Sequence, residues 1–303
     1  MNKPARHAPA LVILAAGLGS RYGDAKQVTG IGPDGEWLLE YAIQDAIAAG
    51  FAQIVMVIRP SLREVLRRRL APRLRDRATL HLVEQTFDRI PEGCAVPVRR
   101  SKPLGTGHAL WCCASLLRGP FAVINADDYY GRGAFQLLAH HFRQSTHPAM
   151  VGYRLDATLS SHGGVNRGVC KVDPNGRLQT VTEFTDIARC GDALRGQAPD
   201  GTRAALAPDT VVSLNCWGLL PGLLPDLERG LRDFLAHADG TDEYFLPHAI
   251  AAHLAAHHET LAVLPTRDAW LGLTYPDDRV HVVAAIAALH AAGAYATPLW
   301  RRA

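Results

Sequence analysis

The sequence predicts an α/β protein with a doubly wound, mostly parallel sheet, to which the second half of the chain adds a mixed or antiparallel portion. Short apolar runs alternate with helical patterns in the first half; the runs are ALVILAA (10–16), QIVMVI (53–58) and the start of FAVINADDYYG (121–131). Apolar runs of this length are typical of strands that are buried on both faces. Such strands separated by helices predict a parallel, doubly wound sheet.

The helices and loops of the first half have their own signals. The segment WLLEYAIQDAIAAG (37–50) has apolar residues at helical spacing, and its final glycine is a typical helix end. The elements that follow are an arginine-rich helix (about 61–75), the strand TLHLVE (79–84) and a helix at about 107–118. An irregular stretch with three prolines and three glycines (86–107) lies between the last two. Long loops in compact domains tend to be functional or mobile, so this stretch is a candidate part of a site.

From residue 149 the pattern changes to short strands separated by turn residues. The strand candidates are MVGYRL, GVCKV, LQTVTEF and VVSLNCWGLL, and DPNG (173–176) is a hairpin turn. This pattern predicts mixed or antiparallel sheet. We therefore expect one domain over residues 9–275, with halves at about 9–148 and 149–275, and a C-terminal helix (276–303) packed on it.

The composition is that of an ordinary folded protein and argues against several kinds of partner. Because 32 basic residues nearly balance 29 acidic ones, we expect no nucleic-acid partner and interpret the basic run at 63–77 as a solvated helix face. No apolar stretch approaches the roughly 20 residues needed to cross a bilayer, so we expect no membrane association. Six cysteines without paired spacing predict reduced thiols and a cytoplasmic location. The sequence is compatible with a homo-oligomer.

The segment LAAGLGSRYGDAKQ (14–27) follows the first predicted strand and predicts a phosphate-binding loop. It lacks the G-x-x-x-x-G-K-[ST] spacing of a P-loop. It also lacks the third glycine of a dinucleotide fingerprint, because Tyr22 stands at that place. What remains is G-x-G-x-R followed by a lysine, in which glycine backbone N–H groups can approach a triphosphate. Arg21 can bind two phosphate oxygens at once, and Lys26 adds a mobile charge suited to charge that builds up during a reaction.

This loop resembles the signature loop of the sugar-1-phosphate nucleotidyltransferases, the NDP-sugar pyrophosphorylases. Further segments resemble motifs of that family in the same order. PLGTGHAL (103–110) resembles its second nucleotide loop, and VINADD (123–128) resembles the strand that ends in a metal-binding aspartate. TEF (182–184) and SLNCWG (213–218) resemble the segments that contact the sugar. The resemblance extends from about residue 10 to the last predicted helix. It implies the Rossmann-like nucleotidyltransferase fold.

The resemblance also implies a reaction, in which a sugar 1-phosphate attacks the α-phosphate of a nucleoside triphosphate and pyrophosphate leaves. UTP and dTTP are the first nucleotides to test. Since the attacking oxygen is already an anion, the reaction needs alignment and charge neutralisation rather than a general base. The implied catalytic residues are Arg21, Lys26 and Asp127, and the implied cofactor is Mg²⁺. The implied binding residues are Ala15, Ala16, Gly17, Gly19, Ser20, Pro103, Gly105 and Thr106 for the nucleotide, and Asn125, Glu183 and Asn215 for the acceptor.

The sequence departs from the family pattern at the metal. The usual second metal aspartate is Gly272 here, in WLGLTYPDD (270–278), and the usual proline before the loop lysine is Ala25. We expect Asp128 or Asp277 to supply the missing carboxylate, with Asp278 as a further candidate. Alternatively, a single protein carboxylate binds the metal ion, and triphosphate oxygens and water supply its other ligands.

The sequence also departs from the pattern at two substrate contacts. Phe184 replaces the usual lysine that meets the sugar phosphate, so we expect Arg167 or Lys171, on a nearby strand, to supply that charge. Arg100 stands where a glutamine often reads the base, and Gln85 can take that role only if the intervening loop folds back.

Other functions compete with this hypothesis. The acceptor can be another small phosphate ester, as in related cytidylyltransferases. A metal-dependent glycosyltransferase, with NADD as a DxD-like motif, uses a preformed NDP-sugar and has no need of Arg21 and Lys26. A regulatory protein that binds nucleotide without turnover is the third alternative. The 14 histidines show no two-ligand spacing on one helical face with a third candidate nearby, so we expect no histidine metal cluster.

Overall fold

The computed structural model describes residues 8–17, 28–97, 100–191 and 193–301. Its first half contains four parallel strands, β1 (Ala10–Ala15), β2 (Gln53–Ile58), β3 (Thr79–Glu84) and β4 (Phe121–Asn125). They lie side by side in the order β4-β1-β2-β3. The doubly wound parallel sheet predicted from the apolar runs is confirmed.

The second half extends this sheet with strands that pair antiparallel, apart from β12, which runs parallel to β6. The strands, in chain order, are β6 (Ala149–Arg154), β7 (Val165–Val172), β8 (Leu178–Cys190), β9 (Ala193–Gln197), β10 (Arg203–Leu206), β11 (Val211–Leu219) and β12 (Ala262–Pro265). Strand β11 joins the two halves, because it pairs antiparallel with β6 on one side and with β7 and then β4 along the other. A separate ladder pairs β5 (Asp128–Tyr129) with β13 (Leu271–Gly272). The predicted mixed portion is confirmed, whereas the predicted domain boundaries stay predictions.

Helices cover both faces of the sheet and bury alternate residues of its strands. On one face, Leu11 and Ile13 of β1 pack against α1 (Leu38–Ala49), α2 (Arg63–Leu74) and α4 (Arg132–Gln144). On the other face, Val12 packs against α3 (Thr106–Cys112), α5 (Leu224–His237) and α6 (Leu246–His257). A strand buried on both faces has no polar alternation, which is why β1 reads as a continuous apolar run. A last helix, α7 (Asp278–Ala291), packs against β5, β13 and α1.

The basic run on α2 is only partly the solvated face that the sequence predicts. Arg67 and Arg68 are exposed and pair with Glu64 on their own helix. Arg69 and Arg73, however, point toward α1 and both form ion pairs with its fully buried Glu40. A buried carboxylate needs such partners, because it is costly to leave one unpaired. This part of the basic run therefore holds α2 against α1.

Two further features concern the helices and the cysteines. No helix in the described part of the chain is long and apolar enough to cross a membrane. All six cysteines are free thiols, as the sequence predicts. Burial raises the pKa of the Cys170 and Cys112 thiols to about 12, which keeps them protonated and unreactive.

Candidate active site

The carboxyl ends of β1 and β4 meet at one edge of the sheet, and five of the predicted nucleotide and metal residues lie there: Ala15, Ala16, Gly17, Asp127 and Asp128. The Ala126 N–H donates to the carbonyl of Leu14, which keeps the two strand ends together beyond the ladder. Ala16 is buried and Gly17 is exposed at the end of β1. Gly19, Ser20, Arg21 and Lys26 lie outside the described residues, so their predicted roles stay predictions. Open α/β sheets bind ligands at this edge.

Two adjacent carboxylates follow β4 at this edge. Asp127 is half-buried and lines a cavity, whereas Asp128 is buried. The Asn125 side-chain N–H donates to Asp128 Oδ2 over 2.9 Å, and the Tyr130 hydroxyl lies 3.1 Å from the same oxygen. These contacts fix the orientation of the Asp128 carboxylate. Asn125 is thus placed to position a carboxylate, beside its predicted role in binding substrate.

Gly272, at the place of the usual second metal aspartate, lies directly opposite Asp128 in the β5–β13 ladder. A Cβ at position 272 would lie 2.3 Å from Cζ2 of Trp270 and 3.0 Å from Oδ1 of Asp128. The indole therefore occupies the space that a side chain would need. Asp128 already brings a carboxylate to this place from the neighbouring strand. Asp277, the other predicted substitute, is exposed at the start of α7 and does not line the cavity.

Asp278, the further candidate, has a structural role. Its Oδ1 accepts a hydrogen bond from the Ser160 hydroxyl at 2.7 Å, and its Oδ2 accepts one from the Tyr275 N–H at 2.7 Å. Both carboxylate oxygens are thus engaged in fixing the start of α7. The structure brings only Asp127 and Asp128 of the predicted metal residues to the cavity.

Arg167, on β7, is the buried cation of the cavity. Its Nε donates to Thr158 Oγ1 and its Nη groups donate to the carbonyls of Asn166 and Thr158, while its guanidinium stacks on Trp270, 4.4 Å from the ring centroid. No carboxylate among the described residues lies within 4.0 Å of it. Burial lowers the pKa of Arg167 to about 10, with Asp128 and Glu183 opposing this shift. The guanidinium therefore remains charged at neutral pH, and none of the described carboxylates forms an ion pair with it.

Glu183 and Lys171, both predicted to bind substrate, are placed differently by the β7–β8 hairpin. Glu183 pairs with Gly168 in the ladder and lines the cavity. The cavity wall removes part of the hydration of its carboxylate and raises its pKa, whereas the charge of Arg167 lowers it. Lys171 is exposed on the same strand as Arg167 but does not line the cavity. Of the two predicted cations, the structure therefore brings only Arg167 to the site.

Asn215 lies on β11 at an irregularity of the sheet. The register with β6 shifts between Ser213 and Trp217, and Asn215 within this bulge has φ of 58°. A left-handed backbone is uncommon for a residue other than glycine and is often found at functional sites. The indole N–H of Trp217 donates to Asn215 Oδ1 at 3.2 Å. Trp217 is thus a core residue that also orients the Asn215 side chain in the cavity wall.

The second loop, which the sequence places at 103–110, is held by two backbone hydrogen bonds and by the side chain of Arg100. Tyr244 N–H donates to the carbonyl of Leu104, and Gly107 N–H donates to the carbonyl of Tyr244, each at 2.8 Å. Gly105 has φ of 104°, and a Cβ there would lie 2.6 Å from the Tyr244 carbonyl oxygen, so this place requires glycine. Arg100 donates to the carbonyls of Lys102, Pro103 and Asp242. Arg100 therefore fixes the loop rather than reading a base.

Gln85 reaches this loop. Its Nε2 lies 3.0 Å from the Gly105 carbonyl and 3.1 Å from His108 Nδ1. The hydrogen-bond directions follow from the third partner: His108 Nε2 lies 2.6 Å from the Arg89 carbonyl and must carry the proton there, so Nδ1 accepts. Burial lowers the pKa of His108, which agrees with a neutral ring. Both amide hydrogens of Gln85 are thus used, and its Oε1 has no partner among the described residues.

The cavity between these elements has a volume of about 960 Å³. Its polar side is formed by Thr106, Asn125, Asp127, Asp128, Arg167, Glu183 and Asn215. An apolar part of its wall is formed by Leu178 and Val181 of β8 together with Ile250, Ala251 and Leu254 of α6. Thr106 connects the two sides, because its hydroxyl accepts a hydrogen bond from the Leu246 N–H at the start of α6. The structure thus brings seven of the predicted site residues to the wall of one cavity, whereas Thr106 is the single predicted nucleotide residue among them in the described part of the chain.

The expectation that no histidine cluster exists is wrong. His253 and His257 are four residues apart on α6, and their ring nitrogens lie 2.6 and 2.7 Å from Oδ2 of Asp226 on α5. The i, i+4 spacing of the two histidines is visible in the sequence. The third member, Asp226, is not visible as part of the same pattern. It precedes the two histidines by 27 and 31 residues and reaches them only through the packing of two helices.

Comparisons with known proteins agree with this fold. A UTP--glucose-1-phosphate uridylyltransferase of Bacillus subtilis (strain 168) is 29% identical over 130 residues, which cover 39% of this chain and 43% of that relative. The chain thus matches less than half the length of this curated relative. A UTP-bound UGPase from Acinetobacter baumannii aligns over 93% of this chain and 94% of its own, with 15% identity and a TM-score of 0.56. An inositol-1-phosphate CTP transferase from T. maritima aligns over 93% and 98%, with 15% identity and a TM-score of 0.58.

Residues 11–156, just under half of the chain, match the MobA-like NTP transferase domain family. This segment contains nearly all of β1 and the whole of β2 to β5, together with both carboxylates and the second loop. The nucleotidyltransferase class that the four motifs predict is thereby confirmed for this part of the chain.

Proposed function

We propose that the protein joins a nucleoside triphosphate to a sugar 1-phosphate and releases pyrophosphate. One observation carries the proposal. Asp127 and Asp128, at the end of β4, line the same cavity as Arg167, a buried guanidinium without a carboxylate within 4.0 Å among the described residues. A charge held in this way is stabilised by an anionic ligand. The cavity thus offers oxygen ligands for a cation and a cationic site for a phosphate.

The family implies Mg²⁺, and the carboxylates present fit it. Mg²⁺ prefers oxygen ligands and is usually held by one or two carboxylates together with substrate phosphates. Asp127 and Asp128 supply such oxygens at the ligand-binding edge of the sheet. When bound, Mg²⁺ supplies charge neutralisation on the phosphate oxygens. The steric closure at Gly272 makes Asp128 the structural substitute for the second aspartate of the family.

The residues of the chain then divide the remaining tasks. Arg167 binds the phosphate of the acceptor and holds its oxygen toward the α-phosphate. Asn215 and Glu183 accept hydrogen bonds from acceptor hydroxyls, which fixes the orientation of the acceptor. No described side chain needs to remove a proton, because the attacking phosphate oxygen is already ionised at neutral pH. Arg21 and Lys26 bind the triphosphate and the leaving pyrophosphate, as the resemblance implies.

The hydrogen bonds of Gln85 favour particular bases. Its Oε1 is an acceptor, so it suits a base with an N–H on its pairing edge. Uracil and thymine have a ring N–H at N3, whereas cytosine and adenine have a lone pair on the corresponding ring nitrogen and offer an N–H through the exocyclic amino group instead. Guanine also has an N–H on this edge. UTP and dTTP are therefore the first substrates to test, followed by GTP.

The apolar wall of the cavity favours a wider range of acceptors than simple hexose phosphates. Ile250, Ala251 and Leu254 of α6 give the acceptor few hydrogen-bonding partners on that side. A phosphate ester with a deoxygenated or otherwise apolar face fits this wall. Transfer to a non-sugar phosphate ester therefore stays a second candidate function.

The free thiols and the absence of a membrane-spanning helix in the described residues support action in the cytoplasm.

Pyrophosphate release tests the proposal. The purified chain is incubated with each of UTP, dTTP, CTP, GTP and ATP, paired with sugar 1-phosphates and with non-sugar phosphate esters, in the presence of Mg²⁺ or of EDTA. We expect release for at least one pair with Mg²⁺ and none with EDTA or with Asp127→Asn. Release that requires no phosphate ester, or no release with any pair, would contradict the proposal.

A further inference from the structure

A cluster of three metal-binding side chains lies outside the candidate active site. Its members are His253 and His257 on α6 and Asp226 in the first turn of α5. Their ligand atoms are His253 Nδ1, His257 Nε2 and Asp226 Oδ2, and all lie within 4.8 Å of one another. From this arrangement we propose a binding site for a borderline transition-metal ion, of which Zn²⁺ is the biological representative.

The helix geometry creates the site. Residues four apart lie on the same face of an α-helix, one turn above the other, so His253 and His257 present their rings side by side, with centroids 4.7 Å apart. Asp226 approaches from the neighbouring helix. Its carboxylate lies 2.6 Å from one ring nitrogen and 2.7 Å from the other. Two imidazoles and one carboxylate on two packed helices form a tridentate set.

Both carboxylates around His253 argue for a cation at this place. His253 is buried, its Nδ1 faces Asp226, and its Nε2 lies 3.2 Å from an oxygen of Glu259. A neutral imidazole has one N–H and one lone pair, so it would direct that lone pair at one of the two carboxylates. A metal ion on Nδ1 removes this conflict, because Nε2–H then donates to Glu259. A proton on Nδ1 also removes the conflict, but only while the ring of His253 is the imidazolium cation.

The surroundings already contain the outer contacts that such ions have in proteins. The nitrogen of a metal-bound histidine that faces away from the metal usually donates to a carboxylate or carbonyl. Glu259 occupies that place for His253. The other Asp226 oxygen, Oδ1, forms an ion pair with Arg229 Nη1 at 2.7 Å, which leaves Oδ2 directed at the two rings.

The donor set identifies the class of ion. Imidazole nitrogens select Zn²⁺, Co²⁺, Ni²⁺ and Cu²⁺, whereas Mg²⁺ prefers sites made of oxygen atoms alone. Two ligand atoms at about 2.0–2.1 Å from a tetrahedral zinc lie roughly 3.3 Å apart, so small rotations of the three side chains are enough to admit the ion. His257 is half exposed, which gives the ion an entry path and leaves a fourth position for water.

A metal ion at this place would connect the cavity wall to the rest of the fold. The helix α6 provides Ile250, Ala251 and Leu254 to that wall, and Glu259, which contacts His253, also lines the cavity. The ion would join the end of α6 to the start of α5. Its expected role is therefore to fix the wall, and the first readout is binding and thermal stability rather than turnover.

The test is Zn²⁺ binding to the untagged full chain after removal of metals with a chelator. Free Zn²⁺ is followed with a chromophoric indicator in excess Mg²⁺, and Co²⁺ is added separately because a tetrahedral site gives it an intense visible absorption. We expect one equivalent of Zn²⁺ with a micromolar or lower dissociation constant, together with a rise in melting temperature. Absence of any such binding would overturn the proposal and leave a hydrogen-bonded cluster.

Two variants and two controls assign the site. His257→Gln, whose side chain is half exposed, keeps the fold and should weaken Zn²⁺ binding roughly tenfold or more; Asp226→Asn should do the same. The matched control is His258→Asn, which removes the adjacent exposed histidine and retains a residue that tolerates its φ of 49°. Asp127→Asn controls for uptake at the candidate active site. Equal affinity in His257→Gln and the unmodified chain would overturn the assignment.

Discussion

Gly272 and Asp128 are opposite one another in the β5–β13 ladder, and the indole of Trp270 fills the space into which a side chain at position 272 would project. The place of the aspartate in the family pattern is therefore sterically closed in this chain. The carboxylate of Asp128, on the neighbouring strand, lies beside that place.

The first prediction is that Gly272→Asp, which restores the family residue, impairs the protein. Its Cβ would lie 2.3 and 2.4 Å from two atoms of the Trp270 ring, and its charge would lie next to Asp128. Overpacking of this kind costs about 1–3 kcal/mol, and the like charges add to the cost. We expect a lower melting temperature and reduced pyrophosphate release. Gly222→Asp is the control, because nothing lies within 4 Å of a Cβ there. A gain of activity in Gly272→Asp would contradict the substitution by Asp128.

The second prediction separates the candidate metal carboxylates. Asp127→Asn and Asp128→Asn should each lower pyrophosphate release by roughly 100-fold or more, because a metal site contributes several kcal/mol to such a reaction. Asp277→Asn should retain nearly full release, because Asp277 is exposed and outside the cavity. Steady-state rates over a range of Mg²⁺ concentrations measure all three. A strong defect in Asp277→Asn with normal Asp128→Asn would reverse the assignment.

The fold was predictable from the sequence because its strands are short and buried on both faces. The run at 10–16 contains no polar residue, and the structure shows why: α1 and α4 cover one side of β1, and α3 covers the other. What the sequence could not predict is pairing. Nothing in VVSLNCWGLL specifies that β11 joins the parallel and antiparallel parts of the sheet, because the register is set by long-range packing.

The site was predictable where a motif lies within one loop, and less so where the fold assembles it. VINADD carries both Asp127 and Asp128 in six residues. In contrast, the sequence left Arg167 and Lys171 as equal candidates, and only the cavity distinguishes them. Gln85 reaches Gly105 because the irregular stretch between them folds back, which composition alone does not determine.

The third prediction concerns the acceptor phosphate. Arg167→Gln should raise the KM for the phosphate ester on the order of 10- to 100-fold, since a charge-assisted hydrogen bond contributes about 1.5–3 kcal/mol, while the KM for the nucleotide changes little. Lys171→Gln is the matched control on the same strand and should leave both constants unchanged. Thermal melting verifies that the buried substitution retains the fold. An unchanged acceptor KM in Arg167→Gln would remove Arg167 from the binding site.

The fourth prediction is a pH dependence of stability that arises at Asp45. This carboxylate is buried on α1, accepts a hydrogen bond from the Tyr295 hydroxyl at 2.6 Å, and has a pKa raised to about 6, chiefly by burial. A carboxyl whose pKa is higher in the folded state binds more protons folded than unfolded. Its contribution to stability is therefore complete below about pH 4 and is lost as the pH rises through 6.

Asp45→Asn tests this dependence. The difference in the free energy of unfolding between the variant and the unmodified chain should change between about pH 4 and pH 7, by up to about 3 kcal/mol in favour of the variant at the higher pH. Denaturant unfolding at several pH values measures it. A control at an exposed carboxylate, Asp233→Asn, should show no such change over the same range. A pH-independent difference for Asp45→Asn would mean that the Asp45 carboxyl has the same pKa in the folded and the unfolded chain.

The fifth prediction concerns base selection by Gln85. The proton on His108 Nε2 is fixed by the Arg89 carbonyl, which makes Nδ1 an acceptor and directs both amide hydrogens of Gln85 inward. Gln85→Ala should therefore raise the KM for UTP by about three- to tenfold, the worth of one net hydrogen bond, and change that for CTP less. His108→Leu should have a weaker effect in the same direction, because the amide then loses one of its two anchors. Kinetics with both nucleotides measure the ratio, and equal changes for UTP and CTP would show that the Oε1 atom of Gln85 does not meet the base.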